Sequence, residues 1–259
     1  MANWTYFYLI RLEFLGFRYH GWQKQPKYRS VQGMIDKTLL FILGHEDFKT
    51  LGCGRTDAKV SADDFAFELF LNEDIDLPTM LTDLNKNLPF DIRAKSIEEV
   101  DAKFNVIRNS KEKEYHYYFS YGEKSHPFNA SHIINFNQEL DIEKMQEAVK
   151  IFEGKHNFKR FACKPSEHTI FEREIISASI KKNERYSGSH VPKTAHVFKV
   201  KSKGFLRYQV RLMMAALFDV GAGIYSIEDL KTILVEFDKE PLKRNAPSSG
   251  LNLHKINFK

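Results

Sequence analysis

Cysteine is scarce in this chain of 259 residues, which has two, Cys53 and Cys163. They form no CxxC pair and no metal-ligand spacing, so neither a disulfide framework nor a thiolate metal site is expected. A reducing compartment suits such usage. Long apolar runs are also missing: no stretch approaches the roughly 18 apolar residues that span a bilayer. The opening residues, Met-Ala-Asn-Trp-Thr-Tyr-Phe-Tyr, lack the basic segment and apolar core of a secretory leader. A cytoplasmic protein, with no membrane partner, is the expectation. The P-loop, the GxGxxG turn that opens a helix, HExxH and GxSxG are absent as well. The ten histidines show no deaminase-like zinc pattern. Neither a metal nor an organic cofactor is expected.

What is present is a mildly basic, aromatic-rich chain. Hydrophobic residues make up 42% and charged residues 28%, enough apolar material for a packed core under a charged surface. There are 22 Phe and 11 Tyr, rings that can serve a core or a role beyond it. The formal charge of +5, from 39 Lys+Arg against 34 Asp+Glu, is compatible with an anionic partner without requiring one.

Periodicity suggests two halves. Residues 5–14 read as a strand. Ser30 is placed to cap a helix carrying Val31, Ile35, Leu39, Leu40 and Leu43, and Gly44 to end it. Residues 47–52 and 65–71 read as strands, Pro78 opens a helix ending near Asn87, and 91–99 supply a further strand. The order β-α-β-β-α-β is that of the ferredoxin-like split βαβ unit. In the second half, 115–121, 131–136, 174–182, 195–202 and 251–258 read as strands. Asp141 caps a helix with Ile142, Met145, Val149 and Phe152. A helix is expected over 205–220, and Ser226 with Asp229 starts another. The charged, apolar-poor stretch Asn109 to Glu114 divides the halves. The expected fold is α+β, with domains at 1–108 and 109–259.

Four segments can carry chemistry. Gly52-Cys53-Gly54-Arg55-Thr56-Asp57-Ala58 lies between two strands. Its glycines permit a sharp turn and close approach of another molecule, and it sets an arginine, a hydroxyl and a carboxylate side by side. A tight connection with solvated charges is the alternative. Gly204 precedes Phe205-Leu206-Arg207-Tyr208-Gln209-Val210-Arg211. On a helix Arg207 and Arg211 project from one side, toward carboxylates, phosphates or solvent. In Lys113-Glu114-Tyr115-His116-Tyr117-Tyr118, Tyr115 and Tyr117 share one strand face, where a ring can stack on a base or fill a core. In Gly21-Trp22-Gln23-Lys24-Gln25-Pro26-Lys27-Tyr28-Arg29, rings and cations interleave as phosphate and base contacts require, or as an exposed basic loop allows.

Together these segments resemble the TruA family of tRNA pseudouridine synthases. Gly54-Arg55-Thr56-Asp57-Ala58 resembles that family's nucleophile motif, which typically runs GRTDAGVHA. GWQKQ with the later SVQG resembles its early GWQxQ…SVQ element. FLRYQVRLMM is similar to its arginine-bearing helix. Gly154-Lys155-His156-Asn157-Phe158 with Arg173 resembles GxHDF…R, and Pro247-Ser248-Ser249-Gly250-Leu251 resembles the closing PxxGL. The matches follow the family's order along nearly the whole chain.

The resemblance implies two ferredoxin-like domains with joined antiparallel sheets around a basic central cleft. It further implies a homodimer that binds tRNA and isomerises uridine at positions 38 to 40 of the anticodon arm without a cofactor. It assigns Asp57 to attack or proton abstraction at the sugar, Arg211 to hold that carboxylate, and Tyr115 to stack on the flipped base or assist at C5. It sets Leu251 against the ring. Arg55, Thr56, Arg207, Lys24, Lys27 and Lys59 are implied as substrate contacts. Departures from the pattern are Lys59 and Ser61 within the nucleophile motif, Phe14-Leu15-Gly16 where YDG is usual, Tyr208 where His is common, and Leu212 and Ala215 where Asn and Gly are frequent. Those beside Asp57 bear on which uridine, or which RNA, is accepted. Three rival readings remain: an RNA-binding or tRNA-folding protein that has lost the reaction, a synthase with another RNA target, and a pair of domains acting on a small anionic metabolite.

Overall fold

A computed structural model describes residues 4–258. The chain has an α+β fold with mixed strand pairing and divides into two compact units, residues 1–111 with 253–259, and residues 112–252. Among the described residues no helix is long and apolar enough to cross a membrane.

In the first unit the elements run β1 (Tyr6–Phe14), α1 (Val31–Leu43), β2 (Lys49–Gly52), β3 (Ser61–Leu71), α2 (Leu77–Asn87) and β4 (Ile92–Glu99). β1 lies between β4 and β3, and β2 pairs β3, all antiparallel. Local chemistry sets the helix ends. The Ser30 hydroxyl accepts from the Gly33 amide at 3.2 Å, and Gly44 closes α1 in the left-handed region at φ 77°. The Asp76 carboxylate caps α2 through the Thr79 amide at 2.9 Å. Ile10, Leu39, Phe67 and Leu69 are wholly buried and form the middle of this unit's core. Leu40, expected inside, is 38% exposed, while Thr38 is buried.

β3 begins at Ser61, four residues before its apolar run, because its acidic start is neutralised. Asp64 takes both carboxylate oxygens to Arg11 at 2.8 Å, and Asp63 meets His254 at 3.0 Å.

The second unit runs β5 (Glu112–Tyr121), β6 (Ile134–Phe136), α3 (Ile142–Ala148), β7 (Gly154–Asn157), β8 (Glu172–Lys182), β9 (His196–Ser202), α4 (Gln209–Gly221) and α5 (Ile227–Val235), and reaches the start of β10 (Leu251–Asn257). The strand order is β5-β9-β8-β7, antiparallel, with β6 parallel to β5. The expected linker at Asn109–Glu114 is shorter than its composition suggested. β5 already begins at Glu112, where Lys113 and Glu114 pair with Ser202 and Lys201, and Lys201 bonds Glu112 at 2.7 Å. Much of the phenylalanine is core here: Phe119, Phe152, Phe158, Phe161 and Phe198 are wholly buried, and Phe136 stacks on Phe218 at 4.9 Å. The capping box at Ser226 and Asp229 forms as its spacing predicts.

The helix expected from residue 205 starts instead at Gln209. Tyr208 holds a left-handed backbone (φ 67°) that breaks the α pattern, and the Gln209 side chain accepts from the Leu206 amide at 2.8 Å. Arg207 therefore lies outside the helix, and its spacing from Arg211 does not set both on one helical face.

Candidate active site

The Asp57 loop joins β2 to β3 and is fixed through its backbone. The Cys53 amide donates to the Ala66 carbonyl at 2.9 Å, the Trp22 amide to the Thr56 carbonyl at 3.3 Å, and the Lys59 amide to the Tyr19 carbonyl at 2.9 Å. The Val60 amide returns to the Asp57 carbonyl at 3.2 Å, so Asp57 opens a one-turn bend. Two close approaches hold the loop against its neighbours. A methyl on Gly16 would lie 1.9 Å from the Val60 carbonyl oxygen, and one on Gly21 would lie 2.3 Å from that of Thr56. Arg55 is exposed and Asp57 partly buried, while Thr56 Oγ1 is buried without a hydrogen-bond partner. Lys59 occupies a left-handed position (φ 69°), which L residues adopt at a cost and glycine freely. Ser61 Oγ accepts from the Gly16 amide at 2.9 Å.

The neighbouring loop, residues 21–29, buries one of its rings and exposes the other, Tyr28, among its cations. Trp22 is buried and stacked on Phe65 at 4.2 Å, so it is core and unavailable to a base, contrary to the pattern-based expectation. Gly52 makes the room: a methyl there would sit 2.4 Å from Trp22 Nε1. Lys24 and Lys27 are exposed, with the Lys24 ammonium 3.1 Å from Asp36. Arg29 lies over the Tyr19 ring at 5.0 Å. Burial and a 2.6 Å hydrogen bond to Asp91 push the Tyr19 phenol up to about 12, so it stays a donor.

In the second unit, Tyr115 is partly buried on β5 opposite Val200, its ring edge-on to Phe205 at 5.3 Å. Tyr117, on the same strand face, is fully buried and donates to the Pro247 carbonyl at 2.8 Å. Burial drives its phenol far above the usual range, opposed by the charge of Arg211. Tyr117 is thus a core residue, whereas Tyr115 stands at the core's margin. Arg211, near the start of α4, donates from Nε to the Ala246 carbonyl at 2.8 Å and accepts the Ala246 amide at its own carbonyl, 3.2 Å away. Its guanidinium lies 4.7 Å from the centre of the Tyr208 ring, and that of exposed Arg207 lies 5.3 Å from it. Leu251 is 6% exposed at the start of β10, after the turn Ser248–Gly250. Tyr208 and Ala246, the supports of Arg211, lie outside the residues to which the sequence motifs assign a role. Tyr208 left one signal, its departure from the common His.

The first unit thus presents a carboxylate in a braced loop, and the second a tyrosine at the margin of a strand and a supported arginine at a helix start. The model of a family described as tRNA pseudouridine synthase matches residues 148–259. That match takes in the later part of the chain, and its class is the pseudouridine synthases, which are isomerases. Similarity to individual relatives extends over nearly the whole chain. It is 32% identical over 250 residues to the tRNA pseudouridine synthase A of Aquifex aeolicus, covering 96% of this chain and 98% of that protein. The counterpart from Mesoplasma florum is 33% identical over 256 residues, covering 97% and 98%. That from Lactobacillus helveticus is 32% identical over 250 residues, covering 96% and 92%. The chain belongs to the tRNA pseudouridine synthase A (TruA) family.

Proposed function

We propose that this enzyme converts uridine to pseudouridine in the anticodon stem-loop of tRNA, at positions 38 to 40, without a cofactor, and that Asp57 carries the chemistry. The reaction breaks the N1–C1′ bond, turns the base and joins C5 to C1′. The hydrogen on C5 is lost and N1 gains one, so no outside reagent is consumed. Asp57 acts as the ionised carboxylate, by attack or by proton abstraction at the sugar. Arg211 is the guanidinium that keeps it ionised and oriented. Tyr115 stacks on the extruded base or assists at C5, and Leu251 packs against the ring. Arg55, Thr56, Arg207, Lys24, Lys27 and Lys59 serve the RNA backbone and neighbouring nucleotides. The proposed architecture is a pair of ferredoxin-like domains around a basic central cleft, acting as a homodimer.

The observation that carries this reading is similarity along 96% of the chain to a tRNA pseudouridine synthase A, with Asp57 in a loop whose backbone is braced on the first unit. Asp57→Asn is the test. It should abolish pseudouridine in mapped tRNA while leaving RNA affinity within a few-fold of the parent. Modification at the normal rate by this variant removes Asp57 from the chemistry. Comparing pseudouridine maps with and without the protein identifies the uridine.

A further inference from the structure

The first unit carries rings and cations beside the Asp57 loop, of which the proposed function uses Lys59 alone. Phe90, in the turn between α2 and β4, is 90% exposed. Phe17 and Leu15, in the turn after β1, are 37% and 38% exposed. Each phenylalanine has a cation over its face: Arg18 lies 4.5 Å from the centre of the Phe90 ring, and the Lys59 ammonium 5.5 Å from that of Phe17. Arg18 is itself held by the buried Asp91 carboxylate at 2.7 Å. A single exposed phenylalanine needs no explanation. Two, each paired with a cation, match the ring-and-cation chemistry of surfaces on which unpaired bases stack. An anchor for a protein partner would instead be expected to sit in an apolar setting with the charges kept to its rim.

The cluster is fastened to the proposed reaction site. The Gly16 amide donates to Ser61 Oγ at 2.9 Å, the Lys59 amide to the Tyr19 carbonyl at 2.9 Å, and the Leu15 amide to the Asp91 carbonyl at 2.9 Å. Lys59 stands two residues after Asp57, in the same bend. A nucleotide adjoining the reacting uridine is therefore the natural occupant.

We infer that Phe17 and Phe90, with Arg18 and Lys59 over their faces, form a stacking platform for unpaired nucleobases flanking the reacting uridine, and that this platform selects which RNA loop the enzyme accepts. The inference rests on the reading of Asp57 as the reacting carboxylate. The platform is a binding surface and takes no part in bond making.

The test is binding of the full chain to two RNAs: a transcribed anticodon stem-loop that the enzyme modifies, and the same stem-loop with abasic nucleotides on either side of the uridine. Phe90→Ala and Phe17→Ala should each weaken binding to the intact loop about tenfold, within the range for one stacked base. Neither should change binding to the abasic loop. Phe90→Tyr should bind as the parent does, and in the two alanine variants KM should rise while kcat at saturating RNA holds. Equal affinities for the double alanine variant and the parent would overturn the inference and turn attention to a protein partner. Equal weakening on both RNAs would also overturn it, since the rings would then not be reading bases. Binding needs no turnover, so the result stands apart from Asp57→Asn, which tests the chemistry alone.

Discussion

The guanidinium of Arg211 rests over the ring of Tyr208, 4.7 Å from its centre, and Tyr208 presents that ring from a left-handed backbone (φ 67°) just before α4 begins. Arg211, the arginine proposed to hold the Asp57 carboxylate, is thus fixed by two supports, this ring and the Ala246 carbonyl. A partly buried cation–ring contact contributes about 0.5–2 kcal/mol. Tyr208→Ala should leave the fold intact and lower kcat about tenfold, as Arg211 gains freedom. Tyr208→Phe keeps the ring and should stay within twofold of the parent. Release of tritium from tRNA labelled at uridine C5 measures both, and equal rates for the two variants would remove Tyr208 as a positioning residue.

Lys59 poses the opposite trade. Its left-handed backbone costs roughly 1–2 kcal/mol for an L residue. Glycine relieves that strain but gives back about 0.5–1 kcal/mol in unfolded-chain entropy. Lys59→Gly should therefore leave stability unchanged or raise it by up to about 1.5 kcal/mol, while weakening RNA binding through loss of the cation over Phe17. Lys59→Val, β-branched in the same conformation, should lose about 1–2 kcal/mol. Urea denaturation beside RNA titration separates the two effects. A clear loss of stability in the glycine variant would show that the lysine side chain, not the backbone, dominates the energetics there.

The caps at Ser30 and Asp141 and the box at Ser226 and Asp229 are local chemistry, and they form where their spacing puts them. The place of the Asp57 loop between two strands was legible for the same reason. Other features depend on partners far along the chain. The charged start of β5 pairs only because Ser202 and Lys201 lie opposite. The apolar run from Phe205 hides the break at Tyr208, since hydrophobic periodicity carries no information about φ. Trp22 looked like an RNA contact because its loop is basic, yet it fills the space that Gly52 leaves beside Phe65.

Gly21 is constrained twice. Its φ is +90°, and a methyl would lie 2.3 Å from the Thr56 carbonyl, one residue before Asp57. Backbone cannot yield as a flexible side chain can, so Gly21→Ala should move the loop itself. We expect a loss of more than about 2 kcal/mol in stability. The folded fraction at low temperature should lose at least about tenfold in kcat, through misplacement of Asp57. Thermal melting with activity assayed well below Tm measures both. Full activity in the folded fraction would mean that the loop tolerates displacement.

Glu68 should make stability fall as pH rises. It is 1% exposed on β3, accepts the Val106 amide at 3.1 Å, and burial raises its pKa, opposed by that hydrogen bond and by the charge of Lys49. The unfolded chain releases this proton near the ordinary glutamate value of about 4.3, while the folded protein holds it to a higher pH. Between the two values the folded state binds more protons, so the stability that protonated Glu68 contributes is complete below the unfolded pKa. It is lost as pH rises through the folded one. Asp219, paired with Arg244 and also raised by burial, titrates in the same sense, so the measurement must compare a variant with its parent. Glu68→Gln keeps an oxygen for the Val106 amide and removes the charge. Melting temperatures of both proteins from about pH 4 to about pH 7 should separate in favour of the glutamine variant as pH increases. A gap that stays constant across that range would mean that Glu68 is ionised in the fold throughout, with the Val106 amide and Lys49 outweighing its burial.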